Sequence, residues 1–380
     1  MTQHSYYSTY TPYLPIGKNM NRKHTLLLLC LCMLLSTASL AAPDGGLERG
    51  SPEELGFSTQ RLALVHEMLA QHVEDGRVAG LVAGVARHGK IAYLESMGWN
   101  QIEQDNSMLE NSLFQIRSMS KPITAVAAMQ LVEQGKMKLD DPVSKYIPSF
   151  AEMQVFLDPA VADSKQTRPA DREMTIEDLL LNTAGLSHRF GALYRANEVR
   201  SRGDTLEELV EKVAKLPLVG DPGEQWVYSI SITVLGRVVE LVSGQKFDDY
   251  LNEHIYGPLK MTDTAFYVPM DKAERLARAY RVSSEDRSLS LLPQMDISIT
   301  QDPPLLEGAA GYGMAVVVDE TLSAYGTNNG EFGWSGSLGT FSWADPVSGS
   351  SVVIMLQIQP SGAYNIASKF KAMVHQSMID

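Results

Sequence analysis

Cysteine is almost missing from this 380-residue chain: Cys30 and Cys32, both in an apolar stretch near the N-terminus, are the only two. With that stretch set aside no thiol remains, which excludes disulfide stapling, thiol catalysis and Cys-ligated zinc. Positive charge is also in deficit, 32 Lys+Arg against 45 Asp+Glu for a net charge of −13. A surface that acidic repels phosphate backbones, and no basic run interleaved with aromatics offsets it, so the expectation is no nucleic-acid partner. Familiar catalytic signatures fail as well. His66-Glu67 and His72 lack HExxH spacing, and no histidine pair sits at a metal-binding interval, so no metal site is expected. Gly333-Trp334-Ser335-Gly336 stops short of G-x-S-x-G because Ser337 follows, and Gly311-Tyr312-Gly313 continues toward a strand, not a phosphate-binding helix. What is present is globular: 44% hydrophobic and 20% charged residues, enough chain for one large or two moderate domains.

The N-terminal stretch has its own grammar. Asn21-Arg22-Lys23-His24 is basic, Leu26–Leu35 is apolar, and Ser36–Ala42 is small-residue rich. That is the pattern of a secretory signal, with cleavage after Ala41. The apolar run is shorter than the 18 or so residues a membrane span wants, and neither cysteine follows the small residues a lipid anchor would need. The polar, Tyr-rich residues before Met20 read as an upstream start. The expectation is a periplasmic or secreted protein without a stable membrane anchor after cleavage, with residues 1–41 a leader.

Beyond the leader, Ser58–His72 carries Leu62, Val65 and Leu69 at helical spacing. Leu81–Ala86 and Lys90–Met97, joined by Arg87-His88-Gly89, predict a β-hairpin. Met119–Glu133 is apolar nearly all round and predicts a buried helix. The middle third, to about Pro304, reads as mostly helical. Strands are predicted at Met314–Val318, Gly339–Ala344 and Ser351–Gln357, then a helix over Ala363–Met378. Sheet elements at both ends therefore enclose a helical insertion: a two-lobed α/β fold, with residues 42–113 and 305–380 forming a discontinuous sheet domain and 114–304 a helical one.

S-x-x-K occurs twice. Ser243-Gly244-Gln245-Lys246 follows an apolar helical run and reads as a glycine-capped helix end. Ser118-Met119-Ser120-Lys121 instead opens the apolar helix, with Pro122 tolerated in its first turn. Residues at i and i+3 share a helix face, so Lys121 can reach Ser118 Oγ. A buried position at a helix N-terminus disfavours the ammonium form and suits a base. The backbone N–H of Ser118 can also serve an oxyanion there. A plainer reading stands beside it, with Ser118 as an N-cap and Lys121 snorkelling to the surface.

The surrounding text adds to this. Phe114-Gln115-Ile116-Arg117-Ser118-Met119-Ser120-Lys121-Pro122-Ile123-Thr124-Ala125 resembles the active-site segment of class C β-lactamases and their esterase and D,D-peptidase relatives. Leu139–Val143, Thr175–Leu186, Pro222–Ser229 and Tyr256–Met261 match in the same order. The resemblance implies the serine β-lactamase/penicillin-binding-protein fold, an antiparallel sheet with flanking terminal helices plus an inserted all-α lobe. It also implies that Tyr228 is a second catalytic residue, that Trp334-Ser335-Gly336 lies on a strand lining the substrate, and that Ser337 supplies a second oxyanion N–H. No cofactor is implied.

Three departures bear on substrate. Trp334 replaces the cation that helps hold a β-lactam carboxylate, and Ile230 replaces the Asn of Tyr-x-Asn. Such an apolar pair suits an uncharged acyl ester, and related carboxylesterases share Trp-x-Gly. After Glu307–Gly311, relatives usually continue with a Gly-rich turn, a helical stretch and a long connection, whereas here Tyr312-Gly313-Met314 begins the next strand at once. Altered or reduced activity is expected from that shortening. The sequence reading is an exported serine hydrolase acting on a small-molecule ester, amide or lactam, foremost a carboxylesterase. A β-lactamase or D,D-peptidase with the same nucleophile is one alternative, and a non-catalytic cell-wall-peptide binder is another. Oligomeric state is left open.

Overall fold

The computed structural model describes residues 46–158, 166–187, 192–199, 204–293, 315–316 and 327–380. The predicted leader and residues 307–314 lie outside them. Strand β1 (Glu48–Arg49) precedes helix α1 (Thr59–Glu74), whose first turn is capped by Ser58 Oγ accepting from Arg61 N–H. Strands β2 (Gly80–Arg87) and β3 (Lys90–Gln101) form the expected hairpin. Its two loop residues, His88 and Gly89, have φ of 52° and 76°. Two successive positive φ values make the mirror-image turn that matches strand twist. Short β4 (Asn106–Ser107) pairs with the end of β3, and a 3-10 turn over Arg117–Ser120 then feeds helix α2 (Lys121–Glu133).

The helical part follows. A small ribbon, β5 (Gln154–Phe156) and β6 (Thr167–Pro169), precedes α3 (Ile176–Leu181), α4 (Ala192–Ala196), α5 (Leu206–Ala214), α6 (Ser231–Ser243) and α7 (Phe247–Leu251). Capping boxes open α3 (Thr175 with Asp178) and α5 (Thr205 with Glu208). Gly244, left-handed at φ 74°, ends α6, as the second S-x-x-K predicts. Leu131, Leu179, Val213, Leu235 and Val238 meet in one apolar core. Two features differ from expectation. Val126 and Met129 on α2 are 46% and 42% exposed, so that helix is not buried all round. And the middle third holds strands: β7 (Tyr280–Val282) and β8 (Leu289–Leu291) pair with each other.

The rest returns to the sheet through β9 (Ala315–Val316), β10 (Phe332–Ser335), β11 (Phe341–Asp345) and β12 (Ser350–Leu356). Strand β13 (Ile358–Gln359) joins β7, and α8 (Ile366–Ser377) closes the chain. The main sheet runs β1-β3-β2-β12-β11-β10-β9, antiparallel throughout except for β1 with β3. Helices α1 and α8 cover one face: Leu62, Val65, Leu69, Phe370 and Val374 pack on Leu81, Ala83, Val85, Val352, Ile354 and Leu356. The alternation along β2 and β12 puts these strand residues on one side. Each fully buried Leu or Phe here is worth about 2 kcal/mol of transfer free energy. Sheet residues pointing the other way, Val82 among them, meet Met108 and Ala277.

Candidate active site

The nucleophile candidate sits where the sheet meets the helices. Ser118 lies inside the 3-10 turn, one residue after Arg117, whose φ of 50° is left-handed. For a non-glycine residue that conformation costs roughly 1–2 kcal/mol and must be held by its surroundings. The holding groups come from the sheet. Gln115 N–H donates to Gln357 Oε1 at 3.3 Å, and Gln357 Nε2 donates back to Gln115 O at 3.3 Å. Thr340 Oγ1 donates to Ile116 O at 3.2 Å, while Gly336 N–H donates to Thr340 O at 2.8 Å. A Cβ on Gly336 would run into Ile116 O and Thr340 Oγ1, so glycine is what lets the end of β10 close on the Ser118 segment.

Around Ser118 three side chains converge. Ser118 is 6% exposed and Lys121 1%. Tyr228 Oη donates to Ser118 Oγ at 2.8 Å, and Lys121 Nζ lies 4.5 Å from the centroid of the Tyr228 ring. Lys121 therefore does not snorkel. Nor does Ser118 cap α2, whose N-cap residue is Ser120 without a side-chain capping bond. The Tyr228 ring also stacks on Trp334 (5.9 Å between centroids) and on Trp226 (6.2 Å).

Tyr228 itself is positioned from within the helical part. Val227 N–H donates to Asn182 O at 2.9 Å, and Ser229 N–H to Asn182 Oδ1 at 3.4 Å. Asn182 ends α3 in the left-handed conformation, φ 57°, one that Asn tolerates better than most residues. Four residues earlier Asp178 is buried. It accepts two bonds from Arg172 (2.6 and 2.8 Å), one from Thr175 N–H (2.9 Å) and one from Thr183 Oγ1 (3.1 Å). Burial works against its charge, but the bonds from Arg172 and Thr175 outweigh that and hold the carboxyl below the usual Asp range. Thr183 O in turn receives Gly223 N–H at 2.8 Å, tying in the loop that leads to Trp226 and Tyr228.

The structure thus brings together Ser118, Lys121, Tyr228 and Trp334 from three separate stretches. Ser335 is exposed at the end of β10, and Ser337 is exposed in the turn that Gly336 and Gly339 close. Ile230 differs from its expected place as a substrate-binding residue: it is 0% exposed and packs in the helical core. An amide at that position can stay at a cleft, whereas an isoleucine at the start of α6 gains more by burial. Sequence reasoning missed Trp226, 61% exposed on the outer side of Tyr228; two-residue spacing in an extended segment was the available signal. It also missed Asp178, whose partners lie along a loop with no periodicity. Among the described residues no group of three His, Cys, Asp or Glu could hold a metal ion, and no helix is long and apolar enough to cross a membrane.

Comparison with known proteins agrees with this architecture. The profile of the beta-lactamase family matches residues 65–373, and the chain belongs to that family. Over 217 residues it is 37% identical to protein Rv1367c of Mycobacterium tuberculosis (strain ATCC 25618 / H37Rv), covering 56% of this chain and 54% of the relative. Over 204 residues it is 34% identical to esterase EstB of Burkholderia gladioli, covering 52% and 49%. The chain spans about half the length of these relatives. Among solved structures, EstCE1, described as a hydrolase with promiscuous acyltransferase activity, superposes with a TM-score of 0.70 at 25% identity, covering 83% of this chain and 99% of that one. The fold is that of the serine β-lactamases and penicillin-binding proteins, in the α/β class.

Proposed function

We propose that the protein is a serine hydrolase that cleaves small-molecule carboxylic esters through an acyl-enzyme. The observation that carries this is the 2.8 Å contact between Tyr228 Oη and Ser118 Oγ, with Lys121 buried against the tyrosine ring. For attack the proton travels from Ser118 Oγ to Tyr228 along that line, and the serine oxygen bonds to the ester carbonyl carbon. Lys121, whose Nζ lies beside that ring, shares the proton traffic of the pair. The carbonyl oxygen becomes an oxyanion, and the backbone N–H groups of Ser118 and Ser337 are the donors this reading assigns to it. As the bond to the alkoxide breaks, Tyr228 returns the proton to the leaving alcohol. A water then repeats the cycle on the acyl-serine and frees the acid. Trp334 and Trp226 flank Tyr228 with apolar rings, where a cation would favour a β-lactam carboxylate, and this supports an ester over a lactam. EstB, an esterase by name, shares more than a third of its aligned residues. The basic, apolar and small-residue sequence of 21–42 supports action outside the cytoplasm, which the N-terminal mass of protein recovered from the natural host would test.

The test is p-nitrophenyl butyrate hydrolysis by the full chain beside Ser118→Ala. Loss of a nucleophile that works with its base as a unit should lower kcat by at least about 10³-fold while the circular dichroism spectrum is kept. Equal rates in the two proteins would remove Ser118 from the chemistry. Turnover of nitrocefin at a rate above that of the ester would replace the esterase with a β-lactamase.

A further inference from the structure

Beside the Ser118–Lys121–Tyr228 cluster the sheet carries a feature that hydrolysis itself does not use. Its second face, turned away from α1 and α8, bears an apolar groove of about 430 Å³. That is a volume within the range of small-molecule pockets, about 300–1,000 Å³. Strand register explains the groove. Trp334 pairs with Ser342, Ser342 with Val353, Val353 with Gly84, and Gly84 with Leu94, so these five positions form one row across β10, β11, β12, β2 and β3. In the adjacent row Ala344 pairs with Ser351, and Ser351 with Ala86. Ser342, Gly84, Ala344, Ser351 and Ala86 keep the middle of these rows low around the single larger Val353, and Trp334 and Leu94 stand at the ends of the first. The result is a trough floored by Gly, Ala, Ser and Val353 and closed at one end by Trp334.

Two contacts join the trough to the candidate site. Trp334 lines it and also stacks on Tyr228, and Pro122, the residue after Lys121, forms part of its wall. From β10 to β2 is three strand spacings, about 14 Å. We infer that this trough binds the acyl chain of the ester, so that the preferred substrates are esters of unbranched apolar acids well beyond acetate in length. The inference rests on the esterase reading for its catalytic half. A charged or strongly polar acyl group finds no charged partner along these rows, and burying it there would cost its hydration. An alkyl chain instead removes from water both its own surface and that of the trough, about fourfold in affinity for each methylene accommodated.

The experiment uses the full chain and p-nitrophenyl esters from acetate to laurate. The ratio of kcat/KM for decanoate to that for acetate is expected to exceed tenfold in the wild type. It should fall at least tenfold in Ala344→Leu and, independently, in Ala86→Phe, which fill the trough from two different strands. Dodecanoate should inhibit acetate ester hydrolysis by the wild type competitively, an arm that needs no variant to fold. Binding of a fluorescent fatty acid to Ser118→Ala, lost in Ser118→Ala/Ala344→Leu, reads the trough without turnover. Hydrolysis of the acetate ester with no chain-length preference and no inhibition by dodecanoate would overturn the inference and leave the esterase standing. Fatty-acid binding that Ala344→Leu abolishes, in a protein that cleaves no ester, would uphold the trough and remove the esterase.

Discussion

The two halves of the candidate site are held by different physics. The Ser118 half is fixed to the sheet by close backbone approach: Gly336 against Ile116 O, a threonine bond to the same carbonyl, and a reciprocal amide pair between Gln115 and Gln357. The Tyr228 half is fixed inside the helical part by charge, through Arg172, Asp178 and the Asn182 turn. Sterics give the first half a sharp but brittle geometry. Ionised hydrogen bonds give the second a strength that depends on protonation. The difference shows where each half should fail.

The largest effect is expected on the steric side. Gly336→Val must push the end of β10 away from Ile116 O, since neither backbone can yield cheaply. Misplacing reacting groups by about 1 Å costs on the order of 10² in rate, and overpacking costs about 1–3 kcal/mol of stability. Ester hydrolysis should therefore fall about 100-fold in a protein that still melts cooperatively, with kcat rather than KM carrying the loss. A variant with wild-type kcat would show that the sheet does not position Ser118.

Breaking the charged side should act in the opposite proportion. Asp178→Asn removes the negative charge and one of the two acceptor oxygens of the Arg172 fork, weakens the α3 capping box, and should cost about 2 kcal/mol in urea unfolding. Arg172 is 45% exposed, so its stranded charge returns to water and the loss stays below that of a fully buried pair. Asn182→Ala is gentler. It deletes one long bond to Ser229 and puts alanine in a left-handed conformation, about 1 kcal/mol together. If this turn positions Tyr228, kcat should drop severalfold with KM unchanged; an unaltered kcat would reduce Asn182 to a structural residue.

The sequence displayed the two halves unequally. The Ser118 segment was legible because S-x-x-K spacing, Pro122 and the apolar helix are local, as were the β2–β3 hairpin and α8. Its clamp was not, because Gly336 and Gln357 meet Ile116 and Gln115 across more than 200 residues of chain. In the Tyr228 half the tyrosine was visible only through family resemblance, and Ile230 was misplaced because analogy ranks position above hydrophobicity. Strands β7 and β8 were read as part of a helical region. They are three residues each, too short for a period to declare itself, and they are fixed by pairing with each other and, for β7, with β13, where Tyr280 faces Ile358, 78 residues further on.

Acid sharpens the contrast with the smallest perturbation. Asp178 is held below its ordinary value of 3.8 by bonds that overcome the burial opposing its charge. Asp221, in the loop before Trp226, is held low first by its bond with Arg168 and further by Asp171 N–H, against burial. A carboxyl whose folded value is depressed stabilises the fold fully above the unfolded value, and that stabilisation is lost as the pH falls through the folded one. The window is therefore below about 3.8. The clamp around Ser118 is built from amides, a threonine and a glycine, with no carboxylate among the bonds described. Lowering the pH from 5 to 3 should reduce the hydrogen-exchange protection factors, taken against the intrinsic rate at each pH, of Val227 and Ser229 while leaving those of Gln115 and Gly336 unchanged. It should also shrink the stability gap between wild type and Asp178→Asn, because protonation gives the wild type the neutral side chain the variant already carries. Protection that falls equally at both sets of amides would mean that the halves open together and that the division between sterics and charge does not govern the site.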